Sequence, residues 1–196
     1  MRKKEAKIFN KRNMIGLFII LIMTMSVLGI YANSGQDNQN KYNGYAFKQT
    51  NSGFSTKVND KEITFYNPPA SLEYISFDNE SKQILKNAKV LYITFDPNDT
   101  AIQEIELARL ELTRQLQENF NTYTIVAVTN VTVPYTVFNQ VTCKNATITA
   151  PVLYFKTGDI TQVTTENNCI IATAGNKGGI LAIKDKIMLL LFNIMN

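Results

Sequence analysis

The stretch KVLYITFDPNDTAIQEIELARLELTRQLQENFNTYTIVAV, residues 89–128, decides the fold of this chain. Its first part, KVLYITFDP, is a nearly continuous apolar run rich in β-branched and aromatic residues, which is typical of a strand buried on both faces. The segment that follows has apolar residues at helical spacing, and the run TYTIVAV is a second buried strand. Strand, helix and strand together predict a parallel βαβ unit with a right-handed crossover. The helical positions expected to face the core are Ile105, Ala108, Leu112 and Leu116.

The segments on either side of this unit predict more strands and two further helices. Residues 42–69 alternate apolar and polar residues between Asn-Ser-Gly and Asn-Asp turns, which predicts an antiparallel meander that ends at a proline pair. The run DNESKQILKNA predicts a short helix capped by Asp78 or Asn79. Later come the strand PVLYFKTGD, a tight turn, the run TQVTTENNCIIATA and a final helix from about Asn176 to Met195. We expect this helix in the core, the alternative being a surface helix that docks on a partner. Its predicted core positions are Ile180, Ile183, Ile187, Leu190, Leu191 and Ile194.

An apolar segment near the N-terminus predicts where the domain lies. MIGLFIILIMTMSVLGIY, residues 14–31, has no charged residue and would form a helix about 27 Å long, close to the thickness of a hydrocarbon core. Residues 1–13 form a basic flank that should stay in the cytoplasm. We predict a single-pass cell-membrane protein with a transmembrane anchor at 14–31, a polar linker at 32–41 and an extracytoplasmic α/β domain at 42–196. The alternative is a signal peptide cleaved at Ala32.

The order β-α-β-β-β-α of the C-terminal half resembles a thioredoxin-like fold. The segment APVLYFKTGDI, residues 150–160, is similar to the third strand of that family, which begins with a cis-proline, so Pro151 is either cis or an ordinary strand-initiating proline. Enzymes of the family carry Cys-x-x-Cys where this chain has DPNDTAIQ, so the resemblance implies a fold without redox chemistry. The expected fold class is α/β, with an N-terminal transmembrane helix, an antiparallel β-meander and a thioredoxin-like three-layer domain.

The chain as a whole also resembles a group of uncharacterised archaeal proteins with one membrane anchor. The resemblance rests on the N-terminal segment and on YNGYAF, ITFYNPP, LYITFDP, APVLYF and CIIATA, which are spread over nearly the full length. It implies an extracytoplasmic domain in an archaeal cell envelope and no particular activity.

Charge and composition exclude several functions. The chain has 20 basic and 16 acidic residues, and removing the six basic and one acidic residue of the first thirteen leaves 14 and 15. The body is electrically balanced and has no basic run that could follow a phosphate backbone, so we expect no nucleic-acid binding. The absence of histidine excludes Ser-His-Asp and Cys-His nucleophiles and imidazole metal ligands. We predict no catalytic residue, no cofactor and no metal site.

Cys143 and Cys169 are the only cysteines, and the predicted topology places both on the oxidising side of the membrane. A structural disulfide is the expected state there, and it would pin the irregular segment 129–149. The alternative is a redox-active pair, which needs a thiolate stabilised by a cation such as the adjacent Lys144.

Other positions have both a functional and a structural interpretation. Asp96 and Asp99 follow a central strand and could bind a cation or a small ligand, but capping of the next helix is the simpler explanation. Asn130 and Asn145 lie in Asn-x-Thr sequons and are the better candidates for glycosylation outside the cell. GNKGG, residues 175–179, lacks the P-loop pattern and predicts a turn before the last helix.

These features predict a non-catalytic, membrane-tethered extracytoplasmic domain that binds other envelope proteins or supports an assembly there. The alternative function is that of a divergent thioredoxin-like thiol–disulfide oxidoreductase that uses Cys143 and Cys169. A small-ligand-binding protein with its site near Asp96 is the third interpretation.

Overall fold

A computed structural model describes the backbone of residues 11–34 and 39–196, with side chains at 14–26 and 41–196. Most of the predicted basic flank and part of the predicted linker lie outside the described residues. The chain divides into two units at Gln39, and each is described by itself.

The first unit contains helix α1 (Lys11–Ser34). Its described side chains, Met14–Ser26, are all exposed. No helix in the described residues is long and apolar enough to cross a membrane. The predicted transmembrane helix at residues 14–31 is therefore wrong for the described part of the chain.

The second unit begins with a small sheet, which is the meander predicted from the sequence. Its four strands, in spatial order, are β1 (Gln39–Tyr42), β2 (Tyr45–Thr50), β3 (Gly53–Val58) and β4 (Lys61–Phe65). Asn59 and Asp60 have φ angles of 50° and 63° and form the two-residue turn of a β3–β4 hairpin. Gly53 has a φ of 134°, and a side chain there would lie 2.1 Å from the Phe65 carbonyl oxygen, so this position requires glycine.

The second unit also contains three α-helices. They are α2 (Asn79–Asn87), α3 (Ile102–Phe120) and α4 (Lys177–Leu191). Asp78 caps α2 as predicted, because its Oδ1 accepts a hydrogen bond from the Ser81 amide at 2.5 Å. The four predicted core positions of α3 are all buried.

The large sheet has seven strands in the order β5-β10-β11-β9-β6-β7-β8. In chain order they are β5 (Ser76–Phe77), β6 (Val90–Phe95), β7 (Tyr123–Val128), β8 (Asn139–Gln140), β9 (Val152–Thr157), β10 (Gln162–Glu166) and β11 (Cys169–Ala174). Strands β6 and β7 are parallel neighbours with α3 between them in the chain, as the βαβ prediction requires. Strand β9 is parallel to β6 on its other side.

The thioredoxin-like pairing is wrong. The predicted hairpin between β9 and β10 is not formed, because β9 instead pairs with β11 in parallel. The hairpin in this region joins β10 and β11 through Asn167 and Asn168, whose φ angles of 49° and 64° suit a two-residue turn. The turn lies inside the run TQVTTENNCIIATA, residues 161–174. Pro151 is not cis; the one cis peptide bond in the described residues is Val133–Pro134.

Helix α4 is almost entirely buried and shares one hydrophobic core with both sheets of this unit. It packs on β9 and β11 of the large sheet and beside α2 and α3, and its Asp185 is hydrogen-bonded to Asn67, just after β4. A helix enclosed on every side must bury its whole circumference, and the apolar run at its C-terminal end suits that environment. The predicted core helix is confirmed, but it also buries three consecutive charged residues, Lys184, Asp185 and Lys186.

Candidate functional site

A groove between β4 and α3 in the second unit has a volume of about 620 Å³. Pockets that bind ligands commonly have volumes of about 300–1,000 Å³. We call this feature the β4–α3 groove. The lining residues that matter below are Lys61, Thr64, Tyr66, Glu111, Arg114 and Lys184.

Two side-chain bridges define the ends of the β4–α3 groove. At one end, Lys61 Nζ donates to the Glu118 carbonyl oxygen and to Asn119 Oδ1, both at 3.3 Å, at the C-terminal end of α3. At the other end, Tyr66 Oη donates to Glu111 Oε1 at 2.5 Å. The strand and the helix therefore run in opposite directions along the groove.

Lys184 forms the charged floor of the groove. Its side chain is only 3% exposed, and its Nζ lies 2.9 Å from Glu111 Oε2 and 2.7 Å from Asp185 Oδ1. The second contact is an ion pair without hydrogen-bond alignment, since Asp185 Oδ1 has no hydrogen-bond partner. The ammonium also lies 4.8 Å from the centre of the Tyr66 ring, which is within the range of a cation–π contact.

Asp185 joins α4 to the segment after β4. It is fully buried, and its Oδ2 accepts hydrogen bonds from the Asn67 backbone amide and side-chain Nδ2, both at 2.9 Å. Burial raises the pKa of Asp185, and this effect exceeds the opposing influence of Lys184 and Asn67. The carboxylate is thus costly to bury and depends on these two neighbours.

The adjacent Lys186 has a different environment on another face of α4. Its Nζ donates to the carbonyl oxygens of Leu72 at 3.0 Å and Ile75 at 2.6 Å. Burial lowers its pKa, and the negative charge of Glu73 compensates only in part. The partners of Lys186 are therefore neutral carbonyl groups, whereas the partners of Lys184 are charged carboxylates.

The pKa shifts of Tyr66 and Glu111 keep the phenol neutral and the carboxylate ionised near neutral pH. Burial, the hydrogen bond to Glu111 and the charges of Glu111 and Asp185 raise the pKa of Tyr66 to about 12. Burial alone would raise the pKa of Glu111, but the hydrogen bonds from Tyr66 and Lys184 and the charges of Lys184 and Arg114 outweigh it and lower that pKa. Both values move away from neutrality, whereas general acids and bases need values near the working pH.

We expect the free energy of unfolding to fall between pH 10 and about 12 because of Tyr66. The phenol ionises near 10.0 in the unfolded chain but only near 12 in the fold, so its contribution is complete below pH 10 and is lost as the pH rises through the folded value. Tyr66→Phe should flatten this decline relative to the wild type, in urea unfolding measured at successive pH values. Tyr123→Phe, an exposed control, should leave the decline intact. An unchanged decline in Tyr66→Phe would contradict the assignment.

The predicted disulfide is present. Cys143 and Cys169 are joined across a sequence separation of 26 residues, with their Cα atoms 5.1 Å apart. Cys169 lies in register with Val152 of β9. Cys169 is fully buried and packs with Ala127, Val141 and Val152.

Asp96 and Asp99 shape the loop before α3. Asp99 Oδ1 accepts from the Ala101 amide at 2.8 Å, and its Oδ2 accepts from the Thr157 amide at 2.8 Å. Asp96 Oδ1 accepts from the Asn98 amide at 2.9 Å. These contacts form turns within the loop and do not confirm the capping interpretation, because the N-cap of α3 is Ala101 and has no side-chain cap hydrogen bond. Within the described residues, no group of three or more acidic, cysteine or histidine side chains is placed to hold a metal.

The remaining predicted sites lie on the surface. Asn130 and Asn145 are exposed, and Asn145 Oδ1 accepts from the Thr142 amide at 2.8 Å. Their glycosylation stays a prediction. The Gly-rich segment 175–179 starts α4, where Asn176 Oδ1 accepts from the Gly179 amide at 3.0 Å, as expected of a turn and helix start.

Sequence reasoning missed the β4–α3 groove. Its polar and charged residues come from segments about 45 to 120 positions apart in the chain, such as Tyr66, Glu111 and Lys184. One signal was available: Lys184, Asp185 and Lys186 interrupt a helix that is otherwise apolar on all faces. Charges at such positions are buried and must be paired.

Comparisons with protein-family models, with curated proteins and with solved structures found no match to this chain.

Proposed function

We propose that this chain is a non-catalytic binding domain that works outside the cytoplasm and contacts another protein of the cell envelope. The archaeal origin implied by the resemblance of the sequence is part of the proposal. Nucleic acid is not among the proposed partners, because the body of the chain carries balanced charge.

The observation that carries the proposal is the charge arrangement in the β4–α3 groove. Lys184 is neutralised by Glu111 and Asp185, and Tyr66 is held in its neutral form far above physiological pH. Such a set can orient and recognise polar groups, but it offers no free base, acid or nucleophile. An open, polar groove of this volume suits binding.

The disulfide supports the proposed compartment. Disulfides persist in oxidising surroundings and are rare in the cytoplasm of most cells. Both cysteines of the chain are in the bond, and Cys169 is buried among apolar side chains, where a thiolate is disfavoured. This environment favours a structural bond over exchange chemistry. Export through a cleaved segment ending near Ala32 stays a prediction.

Three measurements on the native protein test the proposal. Protease added to intact cells should digest the second unit, and crosslinking in intact cells should join it to another envelope protein. Purified protein should not reduce insulin disulfides. Digestion only after lysis would exclude the proposed location, and insulin reduction that is lost in Cys143→Ser would favour an oxidoreductase. The absence of any crosslinked envelope protein would contradict the binding role.

A further inference from the structure

Strand β4 is the longest edge strand in the described residues. It pairs with β3 on one side only, and its other side lines the β4–α3 groove. The edge strands of the large sheet, β5 and β8, have two residues each. Short edge strands offer little for pairing, whereas five residues of β4 span about 17 Å.

The β3–β4 turn determines which backbone groups of β4 are free. Because the turn has two residues, Val58 and Lys61 form a hydrogen-bonded pair, and the antiparallel pattern then alternates along the strand. The N–H and C=O groups of Glu62 and Thr64 therefore point away from β3 and toward the groove. No other described group forms a hydrogen bond with them. These backbone groups of β4 are therefore available to pair with another strand.

Arg114 is the cation of the groove that has no hydrogen-bonded or ion-paired partner among the described residues, and it is exposed. Lys61 is engaged at the end of α3 and Lys184 by two carboxylates. Arg114 lines the groove and lies along α3 between Glu111 and Glu118, which are contacted at its two ends, so it lies near the middle of the groove. An unpaired guanidinium can donate two parallel hydrogen bonds to a carboxylate in a bidentate ion pair.

We infer that the β4–α3 groove binds an extended segment of a partner protein, which adds to the free edge of β4 and directs an acidic side chain to Arg114. A groove between an edge strand and a helix is suited to this mode of recognition, in which main-chain hydrogen bonds give affinity and side-chain contacts give specificity. The inference rests on the proposed binding function and names the site and the chemistry of the partner.

The test uses end-capped peptides of alternating serine and valine, about eight residues long so that they cover β4. The central residue is glutamate, glutamine or lysine. Calorimetry should show the glutamate peptide binding at least about tenfold more tightly than the lysine peptide. Amide hydrogen exchange at Glu62 and Thr64 should be fast in the free protein and slow on binding.

Two pairs of variants test separately how the free edge of β4 and the side chain of Arg114 contribute to peptide binding. Thr64→Pro removes the free N–H at an edge position that tolerates proline and should abolish binding, whereas Thr64→Val keeps the N–H and should bind. Arg114→Gln should remove the preference for glutamate, whereas Arg109→Gln, in a residue paired with Glu106 on the same helix, should keep it. Equal binding by Thr64→Pro and Thr64→Val would overturn the inference, as would the absence of binding by every peptide.

Two further outcomes separate this inference from the proposed function. If Thr64→Pro still crosslinks to the same envelope protein as the wild type, the groove assignment fails and the binding function stands. If neither protein crosslinks to any partner but the peptides bind as expected, the groove assignment stands and the envelope role fails. A wild-type dimer that Thr64→Pro dissociates would assign the edge to a second copy of this chain and overturn the inference.

Discussion

Lys184→Met should lower the free energy of unfolding by about 3–5 kcal/mol, since it removes one partner of a buried ion-pair network. The Lys184 ammonium contacts Glu111 and Asp185, and the fully buried Asp185 has only Asn67 as a further partner. Methionine fills a similar volume, so the loss reports the unpaired carboxylates more than a cavity. Urea unfolding at neutral pH measures it.

Lys186→Met is the matched control, because Lys186 is two positions from Lys184, buried and on the same helix. Its Nζ contacts only carbonyl oxygens, and burial already lowers its pKa. The variant loses two hydrogen bonds but no longer has to bury an ammonium. Because these effects offset each other, its free energy of unfolding should stay within about 1 kcal/mol of the wild-type value. Equal losses in the two variants would show that Lys184 is not the electrostatic centre of the groove.

The difference in the free energy of unfolding between Lys184→Met and the wild type should also become smaller at acidic pH. The pKa of Glu111 in the fold lies below its ordinary value of 4.5, so its contribution is present above pH 4.5 and is lost as the pH falls through the folded value. In the variant the part of this contribution that comes from Lys184 is already missing, whereas the parts from Tyr66 and Arg114 remain. A gap that stays constant down to the acid transition would contradict the role given to Glu111.

Replacing both Cys143 and Cys169 with alanine should lower the free energy of unfolding by about 3 kcal/mol, the chain-entropy value for a closed loop of this size. The disulfide spans 26 residues and joins β11 to the irregular segment before β9. Wild-type protein in excess reductant should unfold at the same urea concentration as the double variant. Reductant that leaves the wild-type midpoint unchanged would disprove the contribution.

Hydrogen exchange should show where this stability is lost. Without the bond, amides between Val141 and Ala150 should exchange faster, because Val141 and Ala146 are among the few residues of the segment that pack on the sheet. The exchange rates of amides in α4 should change little, since α4 packs on the face of the large sheet that is opposite to the disulfide. Uniform acceleration in both regions would indicate that the bond stabilises the whole unit.

The spacing of apolar residues predicted much of the fold, because the pattern within one segment is enough to indicate which of its faces is buried. The run before Asp96 and the spacing Ile105, Ala108, Leu112 and Leu116 are sufficient for β6 and α3. Strand pairing is not local, and it was here that the prediction failed. Asn167 and Asn168 are good turn residues, but they lie within an otherwise strand-like run, and the alternative turn after Lys156 was equally reasonable.

The candidate site was harder to predict for the same reason. Its electrostatics depend on Tyr66, Glu111 and Lys184 meeting in three dimensions, and nothing in the sequence near one of them identifies the others. The disulfide was predictable, because two cysteines leave only one pairing within the chain.

The position of α4 has a consequence for the order in which the protein is made. The helix follows every described strand in the sequence, yet buried residues of both sheets share one core with it. During synthesis the ribosome therefore produces both sheets before it produces the helix that completes their core. Until α4 emerges, the inward faces of two sheets are exposed to solvent, and contacts between residues as distant as Asn43 and Ile194 must wait. Such long-range closure predicts slow folding and a period in which the nascent chain depends on chaperones.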